Sequence, residues 1–310
     1  TLIGAGQGLF MALVTGQVYS LANLLEPQDS VTFYATGSLL ALVLLVLGLL
    51  ASFFHLGRPE RAWRAASKWR TSWLSREVIA LPVFMGLVAL YGASHYFGFT
   101  QPWLVIKGQL PIDATLVLGT LGALAAIVLF ACTAMIYASL RFLQEWHSPL
   151  TVTNFVLFGL VSGFTLAAAF SAWSGVPLVG FFGTWAVIFT VFAAITRGFS
   201  MYRNLRIKHK STLRSAIGVR HTIIRQKSMG FMGGSFNTRE FFHGAGNGTL
   251  SFVKWFFLLT VFLVPVALLA ASNALESTSL PILAFAVQYV GLMAERWYFF
   301  AEAKHPQNLY

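Results

Sequence analysis

Long stretches without Asp, Glu, Lys or Arg dominate this chain of 310 residues. They are continuously apolar, whereas membrane strands alternate apolar and polar residues, so they predict helices. A helix needs about 20 mainly apolar residues to cross the hydrocarbon core of a bilayer, which is about 30 Å thick. Residues 146–196 are too long for one crossing, and the Ser-Gly-Val-Pro break at 174–177 divides them into two. The eight predicted segments are residues 1–25, 31–54, 76–97 and 114–140, the two parts of 146–196, and residues 255–275 and 277–294.

The composition excludes a soluble globular protein. Hydrophobic residues make up 57% of the chain and charged residues 10%, whereas a soluble domain has about 25% charged residues. Disordered chains are poor in apolar and aromatic residues, so disorder is excluded as well. The net charge of +11 does not indicate a nucleic-acid partner, because the basic residues lie between apolar segments and not on one face of a soluble domain. The chain is therefore predicted to be an all-α integral membrane protein.

The distribution of Lys and Arg predicts the orientation in the membrane. With eight crossings, both termini and the even-numbered connections share one side, and all of the 21 Lys and Arg residues except Lys107 lie there. The positive-inside rule places that side, with both termini, in the cytoplasm. Residues 1–25 lack the basic start and the small-residue cleavage site of a signal peptide, so we interpret them as a retained first helix. Eight transmembrane helices allow two four-helix bundles, which is the arrangement we expect.

The chain divides into three parts. Residues 1–201 contain the first six predicted helices, residues 202–249 form a long basic cytoplasmic loop, and residues 250–310 contain the last two helices and a tail. Loops of this length are usually functional or disordered. Two interpretations remain open: a flexible tether near anionic membrane lipid, and a docking surface for a peripheral partner. The apolar residues of 229–236 (MGFMGGSF) favour docking, since they would be costly in a solvated linker.

Metal and haem ligands are scarce in the predicted membrane core. One cysteine, Cys132, excludes an intrachain disulfide, a Cys₄ zinc site and an iron–sulfur cluster bound by this chain alone. A bis-His haem needs two imidazoles at matching depth on facing helices. His55 lies at the cytoplasmic end of the second predicted helix, and His95 lies near the opposite end of the third. The sequence therefore predicts no haem and no bound metal.

The turn after the second predicted helix is a candidate binding site. Gly57 and the proline two residues later end that helix, so the turn presents His55 and Arg58 at the membrane surface before Arg76 and Glu77 open the third helix. A quinone head group needs hydrogen-bond partners for two carbonyl oxygens near the water interface, and a group that passes protons. Histidine suits this task because it titrates close to neutral pH. The alternative is that His55 caps the helix and the arginines bind phospholipid.

Three further polar residues are predicted at the same depth. Glu295 lies about 24 Å along a helix that begins at Ser279, near the cytoplasmic boundary, and Arg296 follows it. Ionisable residues cost about 2.5–3.5 kcal/mol each at the membrane centre, so they usually pair or face a polar cavity. Both are therefore candidates for the head-group site, and a structural Glu–Arg pair is the alternative. Gln7 falls at this depth too, where it either contacts the head group or packs between helices.

These motifs resemble a known family. His-Leu-Gly-Arg-Pro at 55–59, followed by Ser-Trp-Leu-Ser-Arg-Glu at 72–77, is similar to the membrane anchor subunits of the dimethyl sulfoxide reductase family, which are related to the polysulfide-reductase membrane subunits. Residues 294–308 (AERWYFFAEAKHPQN) look like the ending of the anchors of bacterial sulfite dehydrogenases. The likeness covers essentially the whole chain, including the eight predicted helices and the lack of haem ligands.

The resemblance implies a heterotrimer in the bacterial inner membrane. A molybdopterin catalytic subunit and a ferredoxin-like iron–sulfur subunit with four clusters would sit on one face of the anchor, which would exchange electrons with quinone (ubiquinone or menaquinone). Family anchors have a functionally important His in the turn, and this role carries over to His55. The position of Arg58 is more variable in the family and is often Ser. The family's catalytic face bears this turn, which here lies on the basic, cytoplasmic side.

The functional hypotheses differ in what the anchor does with quinone. Cytoplasmic catalytic subunits fit sulfite oxidation, in which the anchor passes electrons from the iron–sulfur subunit to quinone and protons enter through His55, with Glu77 or Glu295. The alternative within the family is the anchor of a dimethyl sulfoxide or polysulfide-type reductase, which oxidises quinol. A transporter would need broken helices with charged residues near the membrane centre, and the sequence indicates none there. A structural tether without quinone chemistry would be insensitive to His55→Ala.

Overall fold

Helices form most of the structure. The computed structural model of the protein describes residues 1–54, 58–106, 110–208, 213–219, 221, 223–224 and 247–303. A π-helical turn (Ser30–Ala35) precedes α2, a 3₁₀ helix (Pro59–Lys68) precedes α3, and a second π-helical turn (Leu259–Leu263) joins α8 to α9. The α-helices of the described residues are α1 (Leu2–Leu21), α2 (Thr36–Phe53), α3 (Trp73–Tyr96), α4 (Ala114–Ala138), α5 (Pro149–Ser174), α6 (Val179–Leu205), α7 (Leu213–Ile217), α8 (Asn247–Leu258), α9 (Val264–Leu275) and α10 (Ser279–Glu302).

Seven helical segments of the described residues are long and apolar enough to cross a membrane. They are α1, α2 with the turn before it, α3, α4, α5, α6, and the continuous unit of α8 and α9. They correspond to the first seven predicted crossings, so the multi-pass helical architecture is confirmed. The eighth predicted crossing falls on α10, which has 24 residues but is less apolar because it contains Gln288, Glu295 and Arg296.

Three boundaries depart from the sequence predictions. α6 continues to Leu205 and α8 begins at Asn247, so helical structure extends into both ends of the predicted loop. Between α3 and α4, Leu104–Ile106 and Leu110–Ile112 form a short antiparallel hairpin, where no strand was expected. Most of the predicted loop, including residues 229–236, lies outside the described residues.

Local sequence signals account for several helix ends. The side chains of Asp29, Asp113 and Ser148 each accept a hydrogen bond from a backbone N–H group in the first turn that follows, at 2.6, 2.8 and 3.2 Å respectively. Gly175 has φ of 69°, a left-handed conformation that glycine adopts without a steric penalty, and it ends α5. The predicted break between the fifth and sixth crossings is therefore confirmed.

The central helix of the bundle is α5, which packs against α1, α4, α6 and α10. Gly163 of α5 crosses Gly8 of α1 so closely that a Cβ atom on Gly163 would overlap the Gly8 backbone. Small residues at such crossings allow two membrane helices to pack tightly. One buried cluster contains apolar side chains from each of the helices α1 through α6, and also from α9 and α10. α1 to α4 pack against one another, as do α5, α6, α9 and α10, and α5 joins the two groups through α1 and α4. The two four-helix bundles that we expected from the number of helices stay a prediction.

The helices define two ends of the bundle. α1, α3 and α5 begin and α2, α4 and α10 end around one cavity. We call this the basic end, because the arginine-rich residues 58–72 connect α2 to α3 there. At the opposite end, side chains near the C-termini of α1 and α3 form hydrogen bonds with each other and with the start of α4.

Candidate functional site

A cavity of about 310 Å³ lies at the basic end, enclosed by α1, α2, α3, α4, α5 and α10. Most of its wall is apolar, and polar side chains from several helices converge on it. A mostly apolar pocket with a few converging polar groups is typical of small-molecule sites. The polar lining side chains carried by the helices are those of Gln7, Glu77, Thr133, Tyr137, Ser162 and Arg296.

Glu77 supplies the acidic part of the cavity wall. It lies in the second turn of α3, which begins at Trp73, so the sequence places its carboxyl group near the basic end. The hydroxyl of Thr133 in α4 donates a hydrogen bond of 2.5 Å to Glu77 Oε1. This bond fixes the carboxyl group between α3 and α4, where it faces the cavity. A carboxyl group held in this way is able to accept and release a proton.

Arg296 supplies the basic part of the wall. Its guanidinium carbon lies 3.9 Å from the centroid of the Phe155 ring, a cation–π contact between α10 and α5. No carboxylate among the described residues forms an ion pair with Arg296. The ring holds the guanidinium at the cavity wall without using its N–H groups as hydrogen-bond donors.

Gln7 is the third predicted residue in the cavity wall. Its side chain is 2% exposed, and its Nε2 donates a hydrogen bond of 3.2 Å to the carbonyl oxygen of Ala126 in α4. Gln7 therefore packs between α1 and α4 and also lines the cavity. The structure brings together Gln7, Glu77 and Arg296, which lie far apart in the sequence.

Arg58 and Arg76 lie in different surroundings. Arg58 is exposed, at the residue before the 3₁₀ helix. Arg76 donates hydrogen bonds to the carbonyl oxygens of Trp69 and Arg70, both at 2.9 Å. These bonds hold the loop that leads into α3. Neither arginine is among the described residues that line the cavity.

The turn that carries His55 and Gly57 lies outside the described residues. α2 ends at Phe53, and Ala51, within its last turn, lines the cavity. The described part of α2 therefore ends close to the cavity and just before the predicted turn. The predicted role of His55 stays a prediction.

Glu295 forms a buried ion pair instead of lining the cavity. Arg197 Nε of α6 lies 3.0 Å from Glu295 Oε1, and Arg197 Nη2 lies 3.7 Å from Glu302 Oε2. Arg197 and Glu295 are each 2% exposed. The expected alternative, a pair between Glu295 and Arg296, is thus replaced by a pair between two helices. The sixth predicted crossing ended at residue 196, just before Arg197, and this boundary was too early because α6 continues to Leu205.

A second buried polar network lies at the opposite end. Tyr91 Oη donates to Gln17 Oε1 at 3.0 Å, and Gln17 Nε2 donates to Thr115 Oγ1 at 2.6 Å. The Thr115 hydroxyl donates in turn to Asp113 Oδ1 at 2.7 Å. This series of bonds ties α1, α3 and α4 together, and its members use one another as partners.

His95 lies beside this second network and is 3% exposed. Its ring stacks on Tyr34 with centroids 4.7 Å apart and meets the edge of Tyr91 at 4.6 Å. Its Nδ1 lies 3.3 Å from the hydroxyl of Ser30. His95 is therefore part of a packed aromatic cluster at the end of the bundle away from the cavity.

The fold defines a multi-pass helical membrane protein with a mostly apolar cavity at its basic end. The family described as DMSO reductase anchor subunit (DmsC) matches residues 4–301, nearly the whole chain. The chain therefore belongs to this family: it is a membrane anchor subunit, which implies catalytic and electron-transfer partner subunits. The resemblance that the motifs at 55–59 and 72–77 indicated is confirmed.

Individual proteins that are similar to this chain are consistent with the family assignment. A sulfite dehydrogenase subunit of Allochromatium vinosum is 59% identical over 310 residues, which is 100% of this chain and 95% of that protein. A subunit of the anaerobic dimethyl sulfoxide reductase of Haemophilus influenzae is 30% identical over 129 residues, 41% of this chain and 42% of its own length. The anaerobic dimethyl sulfoxide reductase chain YnfH of Escherichia coli is 31% identical over 128 residues, 41% of each protein.

Several residues of the cavity and the ion pair were not predicted from the sequence. Thr133 and Tyr137 are four residues apart on α4 and so share a helix face, but the sequence does not indicate which helix that face meets. For Arg197 a signal was present. The residues that follow it, Gly-Phe-Ser-Met-Tyr at 198–202, are uncharged and mostly apolar, which is typical of a helix that continues.

Proposed function

We propose that this chain is the quinone-reactive anchor of a sulfite-oxidising molybdopterin enzyme. The observation that carries the proposal is the cavity at the basic end, where Gln7, Glu77 and Arg296 converge. Its apolar wall suits a ring with a hydrophobic tail, and its polar groups suit two carbonyl oxygens. The full-length likeness to a protein named as a sulfite dehydrogenase subunit favours sulfite as the source of electrons.

In this proposal α10 is the eighth crossing. Its 24 residues span about 36 Å, enough for the hydrocarbon core. The side chains of the polar residues that lower its mean hydropathy face other helices and not lipid. Gln288 is 0% exposed and donates to the carbonyl oxygen of Val261, while Glu295 pairs with Arg197. With eight crossings, both termini and the basic end lie in the cytoplasm of a bacterial inner membrane, in accord with the positive-inside rule.

The face at the basic end would receive a ferredoxin-like iron–sulfur subunit, which carries the molybdopterin subunit. Exposed tryptophans and arginines alternate there: Arg64 stacks on Trp63 and Arg70 on Trp69, at 5.5 and 5.4 Å. Trp–Arg pairs suit the interface with anionic membrane lipid. The arginines also suit an acidic partner surface, which would place the last cluster of the partner near the cavity.

The reaction at the cavity is the addition of two electrons and two protons to quinone, which gives quinol. The electrons come from the partner's last cluster. Arg296 and Gln7 donate hydrogen bonds to the carbonyl oxygens, and the positive charge of Arg296 stabilises the negative charge that develops there. Glu77 passes protons to the ring oxygens, and His55 in the adjoining turn is the entry from the cytoplasm.

The test uses the purified complex with E77Q, R296Q and H55A. Sulfite-dependent quinone reduction should fall about tenfold or more in each variant, because each loses a charge-assisted hydrogen bond or a proton carrier. Sulfite oxidation with an artificial electron acceptor should persist, since that acceptor bypasses the cavity. Equal loss of both activities would indicate failed assembly and not a quinone site.

Matched controls exist for two of these variants. Arg206 also stacks on an aromatic ring, that of Tyr202 at 4.3 Å, but it is exposed and lies outside the cavity. Glu26 is an exposed carboxylate at the opposite end, between α1 and the first π-helical turn. R206Q and E26Q should therefore keep both activities. Quinone reduction that survives in E77Q and R296Q as well as in the controls would refute the cavity as the quinone site.

The second candidate function is quinol oxidation for a dimethyl sulfoxide reductase. The partial likeness to two proteins named as dimethyl sulfoxide reductase chains favours it. The same cavity would then release two electrons and two protons from quinol. Membranes that contain the complex distinguish the two functions: sulfite-dependent quinone reduction supports the first, and dimethyl sulfoxide-dependent quinol oxidation supports the second.

A further inference from the structure

Glu295 and Arg296 are neighbours on α10 but face in different directions. Successive residues of a helix point about 100° apart. Arg296 lies over Phe155 and lines the cavity, while Glu295 meets Arg197 of α6. If α10 were rotated about its axis by one residue position, Glu295 would replace Arg296 at the cavity wall, and the wall would carry an anion in place of a cation. Some interaction therefore has to select the observed rotation.

Arg197 is placed to make that selection. Its guanidinium carbon is buried and lies 5.7 Å from the ring centroids of both Phe257 and Tyr298, so it contacts α8 and α10 as well as its own helix. It is the buried cation that meets both Glu295 and Glu302 in the part of the chain that the structure describes. A buried carboxylate is very costly without a counter-ion, so α10 is favoured in the rotation that brings Glu295 to Arg197.

The surroundings of the pair show that it is tightly enclosed. The side chains of Arg197 and Glu295 are 2% and 3% exposed, so the pair is shielded by the surrounding helices. A small void of about 10 Å³ is lined by Arg197 and Glu295 together with Phe155 and Arg296, and the last two also line the cavity. The ion pair and the cavity therefore share a wall, and a change at Arg197 reaches Arg296 through one layer of side chains.

We propose that Arg197 is a positioning residue for the quinone site: its pair with Glu295 sets the rotation of α10, which directs Arg296 into the cavity. This inference rests on the proposed function of the cavity. When Arg197 loses its charge, Arg296 is the cation that remains with Glu295 in the lining of the small void. That attraction draws the guanidinium away from Phe155 and weakens quinone binding. Removal of the Glu295 charge as well abolishes the attraction, so Arg296 returns to the cavity.

The experiment compares R197Q, R197Q/E295Q and R203Q in the purified complex. Binding of decylubiquinone is measured by quenching of tryptophan fluorescence, beside the KM for decylubiquinone and the turnover with an artificial acceptor. R197Q should raise the Kd about tenfold, and R197Q/E295Q should restore it to near the wild-type value. R203Q is the matched control, because Arg203 lies on the same helix and bonds to the carbonyl oxygens of Gln144 and His147. Its Kd should not change.

Three outcomes would overturn the inference: an unchanged Kd in R197Q, no recovery in the double variant, or the same rise in R203Q. Should R197Q fail to accumulate, R197K replaces it, since it keeps the charge but loses the planar fork. A smaller rise in Kd is then expected, and no rise overturns the inference. R296Q distinguishes the positioning role of Arg197 from the proposed quinone site itself. A raised Kd in R296Q with a normal Kd in R197Q refutes only the positioning role, whereas a normal Kd in R296Q refutes the quinone site itself.

Discussion

The two buried glutamines of α1, one at each end of the bundle, have different surroundings. At the opposite end, Gln17 accepts from Tyr91 and donates to Thr115, so its amide is used within the protein. At the basic end, Gln7 donates to a backbone carbonyl and its side chain borders a cavity of about 310 Å³. Both glutamines lie on α1 and both are buried. A polar group that is paired within the protein stabilises the fold, whereas one that faces a cavity is able to bind a ligand.

Filling the cavity should have the largest effect. Ala51→Trp places a large ring in the cavity wall near the end of α2, so quinone reduction should fall more than about tenfold while the artificial-acceptor activity persists. The matched control is Ala89→Trp, in an apolar groove between α2 and α3. Steady-state assays of both variants check the prediction. Equal activity of Ala51→Trp and the wild type would contradict the assignment of the cavity.

The next effect in size is expected for Gln7→Leu. Leucine keeps the approximate volume but removes the amide that borders the cavity, so the KM for quinone should rise about fivefold to tenfold. The melting temperature should change little, because only one hydrogen bond, to Ala126, is lost within the protein. A variant that melts several degrees lower with a normal KM would mean that Gln7 is only a packing residue.

Gln17→Leu should show the reverse pattern. Tyr91 and Thr115 lose their common partner, and hydrogen bonds between membrane helices contribute about 1 kcal/mol. Thermal unfolding of the purified complex should therefore begin at a lower temperature, while the kinetics with quinone stay normal. If the KM for quinone rose instead, this would refute the view that the polar network at the opposite end only stabilises the fold while the basic end binds quinone.

The smallest effect concerns Asp29 at the opposite end. Hydrogen bonds from the backbone N–H and the hydroxyl of Thr32 lower the pKa of Asp29 from its usual 3.8. Because the folded-state pKa is lowered, the ionised cap stabilises the protein above pH 3.8, and this contribution is lost as the pH falls through the lowered pKa. The effect is small because Asp29 is exposed. Asp29→Asn keeps a good cap without a charge, so the difference in melting temperature between wild type and variant should change only at acid pH. A difference that does not vary with pH would contradict this account.

Much of the fold could be predicted from hydropathy and turn residues. The charge-free stretches located the membrane helices, and Gly175 marked the break between α5 and α6 correctly. The hairpin of Leu104–Ile106 and Leu110–Ile112 could not be predicted. A short apolar run is compatible with a helix as well as with a strand. The extension of α6 past Arg197 was also missed, since an isolated arginine usually marks the end of a crossing.

The candidate site was predicted only in part. Gln7 and Arg296 were selected for their depth, which follows from counting residues along a helix, and Glu77 was selected because it opens the third helix after the predicted turn. Counting residues does not show how a helix is rotated about its own axis. Glu295 was therefore grouped with Arg296, although the two side chains face different neighbours. Thr133 and Phe155 were missed for the same reason, because each matters through the helix it touches.

The sequence by itself determined the class of protein and the positions of the apolar helical segments, because these depend on the free energy of placing each segment in lipid. Only the tertiary structure decided which polar groups meet. The crossing at Gly8 and Gly163 and the pair between Arg197 and Glu295 depend on how helices approach and rotate, and that is governed by packing among residues that are distant in the sequence.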